Sequence, residues 1–560
     1  MIEVLLYALL DLHLDVEVTA ENPYDPAQAD VALEVTGPDG AVWRWPAFFD
    51  GEAWRARLRP TQVGDHAVRV LVGGASQGQV SFHVEPSDLP GPIHPDGWGF
   101  RREDGRPFVP IGLNLGWSDG GGVADYQRWF AGMSVHGGNF ARVWVTHFTG
   151  QDPEWSRLGW MDPAAAAELD AILDAAEAEG VAVMLVLWQH SELESASWSS
   201  WEDNPYNADN GGPCATSSCF FTDETALMYQ LRFTRYAIAR WGAHPALAAW
   251  EVMNEVDGIV GVDDAIVAAW AGDIAETIRS AEGGLHPVSW SYSLPPQARG
   301  GQEWVGADFP QVHSYLLSDV GPVTESVAAI LDAAGTPVLV GEWGLDWLGN
   351  GDRADREGLA WHNANWAALA SGSAGGALTW WWNDHVAPDD LWWRLEGPAA
   401  VAAAVDLPAL GPVAAAVDDE DLEVFARGDG ETTLAWVHLV GHSPPDPEDR
   451  PVEGASLSLG YAPRRVTLFE TQTGAPLGEL RPDCDGKVPL PVIRGDIALI
   501  AEGRADPCGG VGCAQAPAAA RTALGWGVAS LLGLCAAGGR RWVGKKRLQG
   551  AAKKPLASST

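Results

Sequence analysis

Between about residues 98 and 400 the chain alternates short apolar runs with longer amphipathic ones, and nothing else in it narrows the fold so far. Candidate strands are Phe108–Asn114, Asn139–Val145, Val181–Trp188, Leu247–Asn254, Val288–Tyr292, Gln311–Ser314, Val338–Glu342 and Ala377–Trp382. Continuous apolar runs of this length suit parallel strands buried on both faces. Helical patterns lie between them. One starts with Asp162 as N-cap and Pro163 in the first turn, buries Leu169, Ile172, Leu173 and Ala176, and stops at Gly180. Another runs from Thr222 to Trp241 with Leu227, Leu231 and Ile238 on one face. Eight strand–helix units over about 300 residues predict an α/β fold of the (β/α)8 TIM-barrel type. A doubly wound sheet is the alternative, but no Gly-rich nucleotide fingerprint supports it.

Two of these runs end abruptly in a carboxylate. Ala249-Trp250-Glu251-Val252-Met253-Asn254 leads into Glu255, and Val338-Leu339-Val340-Gly341 leads into Glu342. A carboxylate at the carboxyl end of a barrel strand stands at the mouth where barrel enzymes place their chemistry. Two of them make the pair that glycosidic cleavage requires. Taken singly, a glutamate at a strand end is more often a surface or ion-paired group.

The chain has 560 residues, room for three or four units. Residues 1–88 read as a β-sandwich, with two-residue alternation over Asp11–Val18 and turn signals at Asn22-Pro23-Tyr24, Gly37-Pro38-Asp39-Gly40 and Asp50-Gly51. A linker is expected over Pro86–Pro95, the barrel over 98–400, and a second β-sandwich over 405–503. The connection from Ser191 to Phe221 is too long for a turn, and loops of that length are commonly functional. The formal charge is −40. Eight of the 35 Lys and Arg lie after residue 520, where no acid occurs, so the body is more acidic still. Such a body repels nucleic acid and anionic lipid, and leaves neutral polysaccharide as a partner. The 29 Trp agree with sugar stacking, but they serve cores equally well. The six Cys show no metal-ligand spacing. Cys214/Cys219 and Cys508/Cys513 have the short spacing of local disulfides in an exported protein, or are free thiols, and Cys484 has no evident partner.

Asn254-Glu255 and Glu342, with Arg142, His313 and Tyr315, resemble the clan of (β/α)8 retaining glycosidases that includes family 5 cellulases and mannanases. The resemblance covers roughly residues 98–400. Asn22-Pro23-Tyr24, Phe49-Asp50-Gly51 and Trp54-Arg55 resemble the Ig-like domain, of the DUF5060 kind, that is fused ahead of such barrels. Asn204-Pro205-Tyr206-Asn207 and Asn210-Gly211-Gly212-Pro213 are similar to the same fused subfamily. The resemblance implies Glu255 as acid/base and Glu342 as nucleophile. It implies Arg142 and Tyr315 as donors to Glu342, Asn254 as a partner of the sugar 2-hydroxyl, His190 and His313 as subsite lining, and Trp380 as the floor of the cleavage subsite. Strand alternation puts Trp380 and Trp382 on one side and Trp381 on the helix side. Trp198 and Trp201 are candidates for stacking distant sugars or for loop packing, and Trp117 and Trp188 are equally open. No metal or other cofactor is implied. A surface carbohydrate-binding protein without turnover is the reading from another class, and a transglycosylase would use the same residues.

Residues 504–521 read as linker. Thr522–Gly539 is uncharged and is followed by Arg540, Arg541, Lys545, Lys546 and Arg547, a short membrane tether with its basic side inward, or a tail with an apolar patch. With Cys508/Cys513, the 522–547 stretch resembles the three-part sorting tails of myxobacterial surface proteins. A cell-surface or extracellular location follows from that resemblance. The first residues lack a basic n-region and a cleavage site, so the expected start lies upstream of Met1 or export takes another route.

Overall fold

The computed structural model describes residues 2–194, 199–293 and 304–505. Trp198, Cys508, Cys513 and the 522–547 stretch lie outside these residues. Among the described residues no helix is long and apolar enough to cross a membrane.

The barrel strands are β1 Gly112–Asn114, β2 Phe140–Trp144, β3 Ala182–Gln189, β4 Leu247–Asn254, β5 Val288–Ser289, β6 Gln311–Ser314, β7 Leu339–Trp343 and β8 Ala377–Thr379. They form one parallel sheet in the order β5-β4-β3-β2-β1-β8-β7-β6. Among the described residues β5 and β6 share no backbone ladder. Side chains bridge that seam: Ser289 Oγ donates to the Phe309 carbonyl at 2.6 Å, and Gln311 Nε2 donates to Ser289 Oγ at 3.2 Å. At β1 a Cβ on Gly112 would stand 1.7 Å from the Phe140 carbonyl oxygen, so only glycine lets β1 and β2 approach. Pro110 has no N–H to donate, and β1 begins after it. Strand β8 ends before the three tryptophans because Val386 N–H and Ala387 N–H return to the carbonyls of Trp381 and Trp382, spending the backbone on a turn.

Helices follow the strands at Val123–Val135, Pro163–Ala178, Glu224–Trp241, Asp264–Glu282, Gly321–Ala334, Leu359–Ser371 and Glu396–Ala402. None lies between β5 and β6 among the described residues. Asp162 caps the second helix by accepting from Ala164 and Ala165, with Pro163 at its first position. The third helix departs from expectation. Leu231 is exposed, and the buried residues run on two sides, through Ala226, Phe233 and Ala237 and through Arg232, Tyr236 and Arg240. The first side meets the barrel and the second meets the N-terminal β-domain, so the apolar stripe is wider than one face.

That N-terminal domain consists of a five-stranded and a three-stranded sheet over Ile2–Glu85. The alternation near Asp11 yields a strand only over Leu10–Leu14. The segment expected as linker contains the strand Ile93–Asp96, which pairs with Gly99–Arg102, and Phe100 and Phe108 plug the amino-terminal end of the barrel with Phe140 and Phe309. The C-terminal domain has a six-stranded and a three-stranded sheet. It covers the helix Leu359–Ser371, which is buried almost all round, with its polar His362 and Asn363 bonded to Asp496 and Asp319. Asp496 ties the two together by accepting from His362 Nε2 at 2.9 Å, Trp436 Nε1 at 2.7 Å and Thr471 Oγ1 at 2.7 Å.

Candidate active site

Strands β2, β4, β6 and β7 deliver the site to the carboxyl end of the barrel. Arg142 on β2 is fully buried and is its hub. Its Nη1 donates to Glu342 at 2.6 Å and to Asn114 at 3.1 Å. Its Nη2 donates to Asn254 Oδ1 and to Glu251, both at 2.7 Å, and its Nε donates to Glu251 at 2.6 Å. A buried guanidinium needs this much compensation, since its planar fork offers five donors and no acceptor. The two carboxylates hold Arg142 protonated above its ordinary value, and Arg142 in turn holds Glu251 below its own against the cost of burial.

Glu255 follows β4 in the left-handed backbone region, with φ +47°. Strain of this kind in a non-glycine residue persists only where the surroundings enforce it. Here the Glu255 N–H donates to Ser291 Oγ at 3.0 Å, and Ser291 Oγ donates to Glu251 at 2.8 Å. The turn lifts the Glu255 side chain from the strand toward the opposite wall. His313 Nδ1 lies 2.9 Å from one Glu255 oxygen and 3.5 Å from Glu342. His190 lies 3.7 Å from the other Glu255 oxygen and accepts from Asn254 Nδ2 at 3.2 Å. Tyr315 donates to Glu342 at 2.6 Å. Carboxylate oxygens of Glu255 and Glu342 and a His313 nitrogen all fall within 4.8 Å of one another.

Burial pushes both carboxyl groups above the ordinary glutamate value and pushes His190 and His313 below the ordinary histidine value. Two acids this close titrate as a pair. The proton they retain belongs on Glu255, because Glu342 is the one that accepts from a guanidinium and a phenol. Glu255 is also the more open, its side chain 15% exposed against 4% for Glu342.

All five polar residues expected with the glutamates thus meet around one pair of carboxyl groups. Trp380 is half-buried at the rim, its ring against Trp117, Trp144 and Trp382 at 5.5, 4.8 and 5.2 Å. Trp381 does not pack on the helix side. Its indole lies over Gly344, beside Tyr315, with Arg353 at 5.6 Å from its ring, because the chain has already left β8 when it reaches this residue. Trp188 packs with Phe233 and Trp270 in the core, and Trp201 is buried, so neither is presented to a ligand. Glu251, Asn114 and Ser291 are site residues that the sequence reading passed over. A lone acid inside an apolar strand was the available signal for Glu251, since it must find a buried cation. Cys214 and Cys219 form a disulfide, and Cys484 is disulfide-bonded as well.

The family model described as "Domain of unknown function (DUF5060)" matches residues 3–72. Mannan endo-1,4-beta-mannosidase 3 of Oryza sativa subsp. japonica is 25% identical over 336 residues, covering 50% of this chain and 70% of that protein. Mannan endo-1,4-beta-mannosidase A of Podospora anserina is 26% identical over 250 residues, covering 40% and 61%. Among solved structures, a candidate glycoside hydrolase from Bacteroides vulgatus ATCC 8482 superposes with a TM-score of 0.61 at 14% identity over 90% of this chain and 100% of that one, a likeness of fold.

Proposed function

We infer that this chain, a glycoside hydrolase, cleaves β-linked mannan or glucan with retention of configuration. The observation that carries the mechanism is the closeness of Glu255 and Glu342, whose oxygens lie within 4.8 Å of each other. A retaining pair stands about 5–5.5 Å apart, whereas an inverting pair stands about 6.5–9.5 Å apart to admit a water. Glu342, ionised and held by Arg142 and Tyr315, attacks the anomeric carbon, and Glu255 gives its proton to the departing glycosidic oxygen. Glu255 then takes a proton from water, which attacks the anomeric carbon and releases Glu342. With Arg142 offset by Glu251 and Glu255 protonated, the site carries one net negative charge at Glu342. That charge faces the positive oxocarbenium-like centre of the transition state. Asn254 presents its amide to the sugar 2-hydroxyl beside His190, and Trp380 floors the subsite.

The mannan and glucan class rests on the relatives named above. A polymeric substrate is supported by the rim, where Leu317 and Trp347 are 78% and 60% exposed on the loops that follow β6 and β7, joined by the Leu317 N–H to Leu345 carbonyl bond. Proton NMR of the first sugar released from β-mannan and β-glucan oligomers tests the reading. The β-anomer should appear first, and an α-anomer would exclude retention. We also propose an extracellular site of action, supported by the Cys214–Cys219 disulfide. Full-length protein recovered from host cytoplasm with these cysteines reduced would exclude it.

A further inference from the structure

The N-terminal domain touches the barrel in two ways. Part of the contact is ordinary docking on helices: Arg57 pairs with Asp170 at 2.8 Å, and Arg235 pairs with Asp30 at 2.9 Å. The rest reaches a loop. Asn22 Nδ2 donates to the Gly159 carbonyl at 2.9 Å in a buried contact. Tyr24 sets its ring edge-on to Trp160 at 6.0 Å and to Tyr236 at 5.8 Å. Asp25 pairs with Arg232 at 3.0 Å, and the Arg232 guanidinium lies where a side chain on Gly159 would be. Residues 22–25 therefore grip Gly159-Trp160, on the loop between β2 and its helix.

From Gly159 a line of hydrogen bonds runs to the turn that carries His190. The Gly159 N–H donates to Glu154 at 2.8 Å, and Tyr206 hydroxyl meets the other Glu154 oxygen at 3.1 Å. Tyr206 N–H donates to Asn204 Oδ1 at 2.8 Å, and Asn204 Nδ2 donates to the Glu192 carbonyl at 2.8 Å. Glu192 closes the turn His190–Glu192, whose first residue faces Glu255 and Asn254. The four hydrogen bonds are directional and buried, and they end on the turn that carries His190, which stands 3.7 Å from Glu255, so displacement at one end is not absorbed by solvent.

We propose that the matched domain of unknown function is a positioning clamp for the catalytic loops: through Asn22, Tyr24 and Asp25 it fixes the β2 loop, and through Glu154, Tyr206 and Asn204 it fixes His190 against the acid/base Glu255. The roles of His190 and Glu255 rest on the glycosidase reading; the clamp itself does not. Glu255 is faced by His190 after β3, Glu251 and Asp257 from β4 and its turn, His313 and Tyr315 from β6, Glu342 from β7 and Arg142 from β2. Among these, His190 is the one the clamp controls.

The test compares Asn22→Ala/Asp25→Ala with Arg235→Ala, which loosens the same two bodies without touching a loop. Amide hydrogen exchange should quicken over residues 187–194 and 201–221 in the double variant and stay near wild type there in Arg235→Ala. On a β-mannan or β-glucan that the wild type cleaves, the double variant should lose about 10-fold in kcat with KM nearly unchanged, as misplacement of a catalytic group does. It should also show a shifted alkaline limb of the pH profile, while Arg235→Ala keeps both. Unchanged exchange in the two segments, or equal effects of the two variants on kcat, overturns the clamp. Quickened exchange in a protein whose wild type cleaves no glycoside would sustain the clamp and defeat the glycosidase reading.

Discussion

Two groups of buried acids flank His190 at the carboxyl end of the barrel, and they differ in one respect. Glu251, Glu255 and Glu342 surround Arg142, whose five donors are shared between two of them and two asparagines. Asp152, Glu154 and Glu192 line a water-sized cavity of about 20 Å³ with Tyr206, and have no Arg or Lys at ion-pair distance among the described residues. The consequence is clearest at Glu251. Glu251 is held below the ordinary range by the guanidinium, whereas burial pushes Glu154 and Glu192 up to about 8. Burial alone makes a carboxyl group neutral, and one well-placed cation makes it a charge available for chemistry. The first group is the one the proposed reaction uses; the second belongs to the proposed clamp.

Removing the cation should turn the first group into the second, with the largest effect of any single change. Arg142→Met leaves Glu251 and Glu342 buried without a cation, and breaking a buried pair costs about 3–5 kcal/mol. The midpoint of urea unfolding should fall accordingly, and adding Glu251→Gln should restore part of the loss. A midpoint unmoved by Arg142→Met would show that the charge network contributes nothing to the fold. Glu342→Gln should lower turnover by about 10⁵-fold or more with little change in folding, because it removes a group used in every cycle. Glu255→Ala should cost about 10²–10⁴-fold on substrates with poor leaving groups and far less on activated aryl glycosides, with azide restoring the second step. Equal losses on both substrate types would remove the distinction between acid/base and nucleophile. The alkaline limb of wild-type activity should reflect Glu255 and lie above the ordinary glutamate range, since burial raises it.

The barrel was legible because its strands are apolar runs with punctuated helices between them, and the glutamate pair because each ends such a run. Arg142, His313 and Tyr315 were reached through resemblance rather than pattern, and the structure brings all three to the pair. Other features depended on contacts between segments far apart in sequence. Leu231 fits a helical stripe, but its helix is buried on two other sides. Trp201 looks like a ligand platform in a long loop, yet that loop folds back and buries it. Trp381 was assigned by an alternation that holds only within a strand, and β8 had ended. The second acid group gave no signal at all, since its members come from two loops joined only in space.

The second group should set how stability responds to pH, with a definite sign. Glu154 and Glu192 titrate near 8 in the folded protein and near 4.3 in the unfolded chain. Below the unfolded value both states hold the protons, and the stabilisation is complete. As pH rises above it the unfolded chain gives up its protons first, so stability falls until the folded groups ionise near 8. Asp170 and Asp496, held below the ordinary aspartate value by their partners, are fully ionised throughout this window and do not offset the trend. The melting temperature should therefore drop between pH 5 and pH 9. Glu154→Gln keeps an acceptor for Gly159 and a partner for Tyr206 while removing the titration. It should narrow that drop by about 1 °C for each kcal/mol of linkage removed. A drop that survives Glu154→Gln unchanged would mean that this cavity does not hold its acids neutral.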